Sequence, residues 1–124
     1  MKRAMMVVIP VVLAGCAMSP VDLREEGRRA ESESSKSPRE ATQCITRNAE
    51  TYKPLGALGA AFTAYWRESL KPGSFEVLVP HPAQGKGYLL IADISPRDSG
   101  SQITTWLNPN FVFSMDDAVI AGCK

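Results

Sequence analysis

Few side chains in this 124-residue sequence have the means to do chemistry, and they stand far apart. The one histidine, His81, lies between Pro80 and Pro82 in a turn-rich stretch. A nucleophile–base pair needs the base held rigidly within hydrogen-bond reach of a Ser or Cys. No nucleophile motif surrounds His81, so it reads as a solvated turn residue. Glu76, Asp93 and Asp98 are the carboxylates from which a hydrolytic pair would be drawn, but nothing in their spacing selects two of them. Asp116-Asp117 reads as a pair of acids at a helix start, where the helix dipole favours negative charge. Gly85-Lys86-Gly87 is too short for a phosphate loop. These residues point away from an enzyme.

Three aromatic residues, Tyr65, Trp66 and Trp106, have two readings. They pack into the core or a sheet face, or they form an exposed patch on the sheet face opposite the helices. Such a patch would bind protein, glycan or lipid.

The remaining reactive residues are three cysteines: Cys16, Cys44 and Cys123. Cys16 follows a basic start, Met1-Lys2-Arg3, and an apolar run from Ala4 to Leu13. That run is too short to span a hydrocarbon core, which takes about 20 residues in a helix, and Pro10 interrupts it. The order is that of a signal peptide. Leu13-Ala14-Gly15-Cys16 resembles the lipobox of bacterial lipoprotein precursors, a likeness confined to about the first 20 residues. The resemblance implies removal of residues 1–15 as a signal peptide and acylation of Cys16, which would become the first residue of the mature chain. It also implies attachment to the membrane through that lipid. Ala17, in place of Asp, implies sorting in a Gram-negative host to the outer membrane, facing the periplasm. Without Cys16 the same leader would read as a plain secretory signal.

With Cys16 as the lipid carrier, Cys44 and Cys123 remain as a pair in an oxidising compartment, where disulfides persist. Their bridge would close nearly the whole domain into one loop, worth about 4–5 kcal/mol as a chain-entropy ceiling. One histidine then leaves too few ligands for a zinc site, and neither a metal nor a cofactor is expected. Removal of Lys2 and Arg3 takes the formal charge of +1 down by two, to −1. No basic field remains to hold nucleic acid.

The elements that would position these residues follow in order. Residues 16–37 hold few large apolar side chains and read as a lipidated end followed by a disordered tether, about 25 Å long on average. Within it Ser19-Pro20 offers a start for a marginal helix through Arg29. A folded domain is expected over 38–124. Ser37-Pro38-Arg39-Glu40 is a helix start, and Ala41, Cys44, Ile45, Asn48, Ala49 and Tyr52 recur at helical spacing. Residues 58–70 suit a helix or a strand; the strand reading puts Phe62, Ala64 and Trp66 on one face. Strands are expected at 75–79, 88–94 and 101–107, the middle one apolar on both sides. Ser114-Met115-Asp116-Asp117 opens a last helix, with Phe111, Met115, Val119 and Cys123 near one face.

The fold expected is therefore α+β. A four-stranded antiparallel meander carries N- and C-terminal helices on one face, joined by Cys44–Cys123. This order also resembles small Gram-negative outer-membrane lipoproteins of unassigned function, on cysteine placement and strand order, which implies no chemistry. Two functions are carried forward. One is a non-enzymatic binding or structural module, held to the membrane by Cys16 and meeting an envelope protein or glycan. The other is a small periplasmic hydrolase or inhibitor-like module.

Overall fold

The computed structural model describes residues 17–54, 56, 62–83, 85–111 and 113–124. The expected lipidation site Cys16 and part of the ambiguous 58–70 segment lie outside them. The chain runs α1 (Pro20–Glu26), β1 (Arg28–Ser34), α2 (Pro38–Thr51), β2 (Tyr65–Glu68), β3 (Phe75–Pro80), β4 (Tyr88–Arg97), β5 (Gly100–Leu107) and α3 (Met115–Ile120). The strands form one antiparallel sheet in the order β1-β5-β4-β3-β2.

The meander β2-β3-β4-β5 is present, with the doubly apolar β4 within it, but among the described residues the sheet has five strands and not four. The fifth, β1, comes from the segment expected to be a disordered tether. It pairs with β5 over seven residues, from Arg28 opposite Leu107 to Ser34 opposite Ser101. Its sequence, RRAESES, offers little apolar surface. What orders it is the backbone ladder along the free edge of β5, a gain that a count of apolar side chains does not register.

α1 starts where Ser19-Pro20 suggested and stops at Glu26, short of Arg29; the departure is that it docks on the sheet and is not part of a tether. Ser19 accepts the Asp22 N–H (3.2 Å) and Asp22 accepts the Ser19 N–H (3.1 Å), a reciprocal capping box with Pro20 in the first turn. The helix has one apolar anchor, Leu23, which is fully buried. Gly27 then turns the chain into β1, where a Cβ would meet the Leu23 carbonyl oxygen at 2.5 Å and the Trp106 Cβ at 3.1 Å. The folded part thus starts near Met18, itself buried, and not at residue 38.

α2 and α3 pack on the other face of the sheet. Ala41, Ile45 and Ala49 of α2 meet Val77, Leu90, Ile94, Ile103 and Leu107, together with Met115 and Val119 of α3. Of the 58–70 segment the described strand is Tyr65–Glu68 alone; Trp66 within it, and Phe62 and Ala64 ahead of it, pack against this core. The Ser37 side chain accepts the Glu40 N–H (3.3 Å) and caps α2. Ser114 makes no such bond at the start of α3. The far end of α3 is held instead by Asn48, whose Nδ2 donates to the carbonyls of Val119 and Ala121, both at 2.9 Å. One turn earlier on α2, Cys44 is disulfide-bonded to Cys123, with Cα atoms 5.7 Å apart across 79 residues of sequence.

Candidate functional site

The face turned away from α2 and α3 carries the unusual chemistry. Its side chains stand in rows across the strands. One row runs Tyr65, Leu78, Ile91, Trp106 and Arg29; the next runs Arg67, Glu76, Asp93, Thr104 and Glu31. Two carboxylates are therefore cross-strand neighbours, an arrangement that repels unless a cation joins it. Arg24 of α1 is that cation. Its Nε donates to Asp93 Oδ2 (3.0 Å), and its Nη2 donates to Asp93 Oδ1 (2.8 Å) and Glu76 Oε2 (2.7 Å). Arg67 donates its Nε to Glu76 Oε1. The Arg24 guanidinium lies 5.7 Å from the Trp106 ring centroid, in cation–π range.

The electrostatics follow from this network. Burial by itself pushes the Glu76 carboxyl up, but the hydrogen bonds from Arg67 and Arg24 and their charges outweigh it, so the group is held below its ordinary value. The hydrogen bond to Asp93 raises Arg24, against a partial loss from burial. Every carboxylate oxygen of the pair accepts from a guanidinium. Glu76 is thus ionised and engaged, a poor general acid and a weak base.

Beside the cluster opens a groove of about 730 Å³ whose lining includes Arg24, Arg67, Leu70, Lys71, Phe75 and Asp93. Leu70, in the β2–β3 turn, is wholly exposed.

The residues singled out in the sequence divide. Cys44 and Cys123 meet. Tyr65, Trp66 and Trp106 form no common patch, because adjacent positions on β2 point to opposite faces. Trp66 lies on the helix side, edge-on to Phe75 with centroids 5.6 Å apart, under the Arg39 guanidinium. Trp106 packs with Met18, Leu23 and Ile91 beneath α1. Tyr65 is the exposed one; its hydroxyl lies 2.9 Å from that of Tyr88. Burial, then the bond to Tyr88, pushes the Tyr65 hydroxyl up to about 12. His81 Nδ1 accepts the Ala83 N–H (2.9 Å), a fastening within its own turn. Glu76 and Asp93 come together while Asp98 lies apart, in the β4–β5 turn.

Arg24 and Arg67 carry the cluster, and the sequence did not single them out. Strand alternation placed Arg67 opposite Trp66 in facing, so its side of the sheet was open to inference. Nothing local marked Arg24. Among the described residues no group of three or more His, Cys, Asp or Glu is placed to hold a metal ion, and no helix is long and apolar enough to cross a membrane. No protein-family model matches the chain, and no curated protein and no solved structure matches it.

Proposed function

We propose that this protein is a lipid-anchored module of the bacterial envelope that acts by binding and not by catalysis. The observation that carries the proposal is Leu13-Ala14-Gly15-Cys16 after a basic and apolar leader. The Cys44–Cys123 disulfide supports it twice. It suits an exported protein, and it leaves Cys16 as the one cysteine outside a bridge. Ala17 favours the outer membrane of a Gram-negative host, with the domain in the periplasm.

The surface best suited to a partner is the groove beside Arg24 and Arg67. Its exposed Leu70 and the charged Lys71 give it an apolar and a polar half, the make-up of a protein-binding surface. The paired carboxylates favour a binding role over hydrolysis, since every oxygen of Glu76 and Asp93 already accepts from Arg24 or Arg67. Mass spectrometry of the membrane-derived protein tests the anchor: the expected product begins at an acylated Cys16. Cleavage elsewhere with an unmodified Cys16 would overturn it. A photo-crosslinker at Leu70 in intact cells should capture an envelope protein, and one at Glu50 on the exposed side of α2 should not.

A further inference from the structure

We infer that the membrane surface is itself a contact of this domain: the acyl chains on Cys16 seat the Met18–Gly87 end of the sheet on the lipid headgroups, with no spacer between. This rests on the reading of Cys16 as the anchor. It departs from the tether that composition suggested.

The geometry starts from how firmly Met18 is held. Its side chain is buried with Leu23 and Ile91. Its backbone bridges to Gly87, and its carbonyl accepts the Tyr88 N–H at 2.9 Å. Gly87 in turn accepts the His81 N–H at 2.8 Å. The approach is so close that a Cβ on Gly87, whose φ is +74°, would lie 2.3 Å from the Met18 carbonyl oxygen. Met18 is thus fixed to the sheet, and it lies two positions along the chain from Cys16, with Ala17 between them. Even fully extended, two residues reach about 7 Å. The headgroup layer on one side of a bilayer is of similar depth, about 5–8 Å. A domain fixed at Met18 has no room to stand off from it.

The side chains at this end suit that contact. Val21 of α1 is 63% exposed. Pro82 and Ala83 carry no charge, and Lys86 supplies a cation able to reach lipid phosphates. Of the acids on α1, Asp22 is engaged by the Ser19 N–H, while Glu25 and Glu26 follow it, exposed, later in the helix. The orientation has a consequence for the groove. β4 runs ten residues from Tyr88 to Arg97, so its ends lie about 30 Å apart. The β2–β3 turn with Leu70 belongs to the Arg97 end, and it would face away from the membrane toward a partner.

The test couples the chain from Cys16 to Lys124 through its Cys16 thiol to a maleimide-headgroup lipid in vesicles of phosphatidylcholine and phosphatidylglycerol, with Cys44–Cys123 kept oxidised. A dye attached through an unnatural amino acid at Lys86 or at Ser99 reports quenching by a headgroup nitroxide lipid. Quenching at Lys86 should exceed that at Ser99 severalfold. A Gly/Ser spacer of about 20 residues between Cys16 and Ala17 should erase the difference. Equal quenching at both sites without the spacer would overturn the inference, as would a difference that survives the spacer. The coupling is chemical, so the outcome does not depend on acylation in cells: an unacylated Cys16 in the cellular protein would sink the lipoprotein reading, and equal quenching would sink this one.

Discussion

Glu76 and Asp93 face each other in register across β3 and β4, and each of their four carboxylate oxygens accepts a hydrogen bond from Arg24 or Arg67. Two acids on one sheet face would ordinarily repel. Here they form the socket that locks a seven-residue helix onto the sheet. α1 has one buried apolar residue, Leu23, so the Arg24 fork supplies the second point of attachment. That makes the cluster both part of the groove's lining and a structural device.

Arg24→Met should destabilise the protein by about 1–2 kcal/mol, since the cluster is only partly buried. Adding Asp93→Asn should recover part of the loss by removing the carboxylate left without a partner. Urea denaturation of the single and double variants reads both; an Asp93→Asn addition that deepens the loss would show that repulsion is not its origin.

Acid should weaken the fold through Glu76. Its folded-state value lies below the ordinary 4.5, so the unfolded chain binds the proton more readily. The contribution is complete above about pH 4.5 and is lost as pH falls through the lower folded value. Urea midpoints should drop between pH 6 and pH 3, and Glu76→Gln should flatten that slope.

Leu23→Ala decides whether α1 belongs to the fold. Truncating a fully buried leucine costs about 2–5 kcal/mol, unless α1 detaches first and caps the loss. In either case amide exchange should quicken at Tyr88, whose N–H is bonded to Met18. Unchanged stability together with unchanged exchange would mean that the segment behaves as a tether after all.

The disulfide should carry a large share of stability. Its loop of 79 residues makes loss of the bridge worth about 2–5 kcal/mol in a small exported domain. Cys44→Ser should lower the melting temperature by many degrees, and Cys44→Ser with Cys123→Ser should be no worse, because either change alone opens the loop.

Thr105 offers a gain. Its side-chain oxygen is buried in the helix-side core with no hydrogen-bond partner among the described residues. Thr105→Val keeps the shape and the β-branch and removes the orphaned polar atom, so it should stabilise by about 1 kcal/mol. A melting temperature at or below that of the parent would indicate that the hydroxyl is satisfied in solution.

Local pattern by itself determined most of the framework. The cap at Ser37, the helical spacing through Cys44 and Asn48, the alternation of Phe75, Val77 and Val79, and the doubly apolar run at Leu89–Ile94 are signals written within a few residues. They yield α2, the meander and the helix-on-helix placement that brings Cys44 to Cys123. Tertiary structure decided the rest, apart from the start of α1 at Ser19-Pro20, which is a local signal too. β1 is ordered because β5 presents an open edge, and α1 because Leu23 and Arg24 find Ile91, Trp106, Glu76 and Asp93. Those partners lie 52 to 69 residues away for Arg24's hydrogen bonds. A charged, serine-rich segment looks the same to its neighbours whether it is solvated or docked; the difference is made by acceptors and edges elsewhere in the chain, which no local spacing encodes.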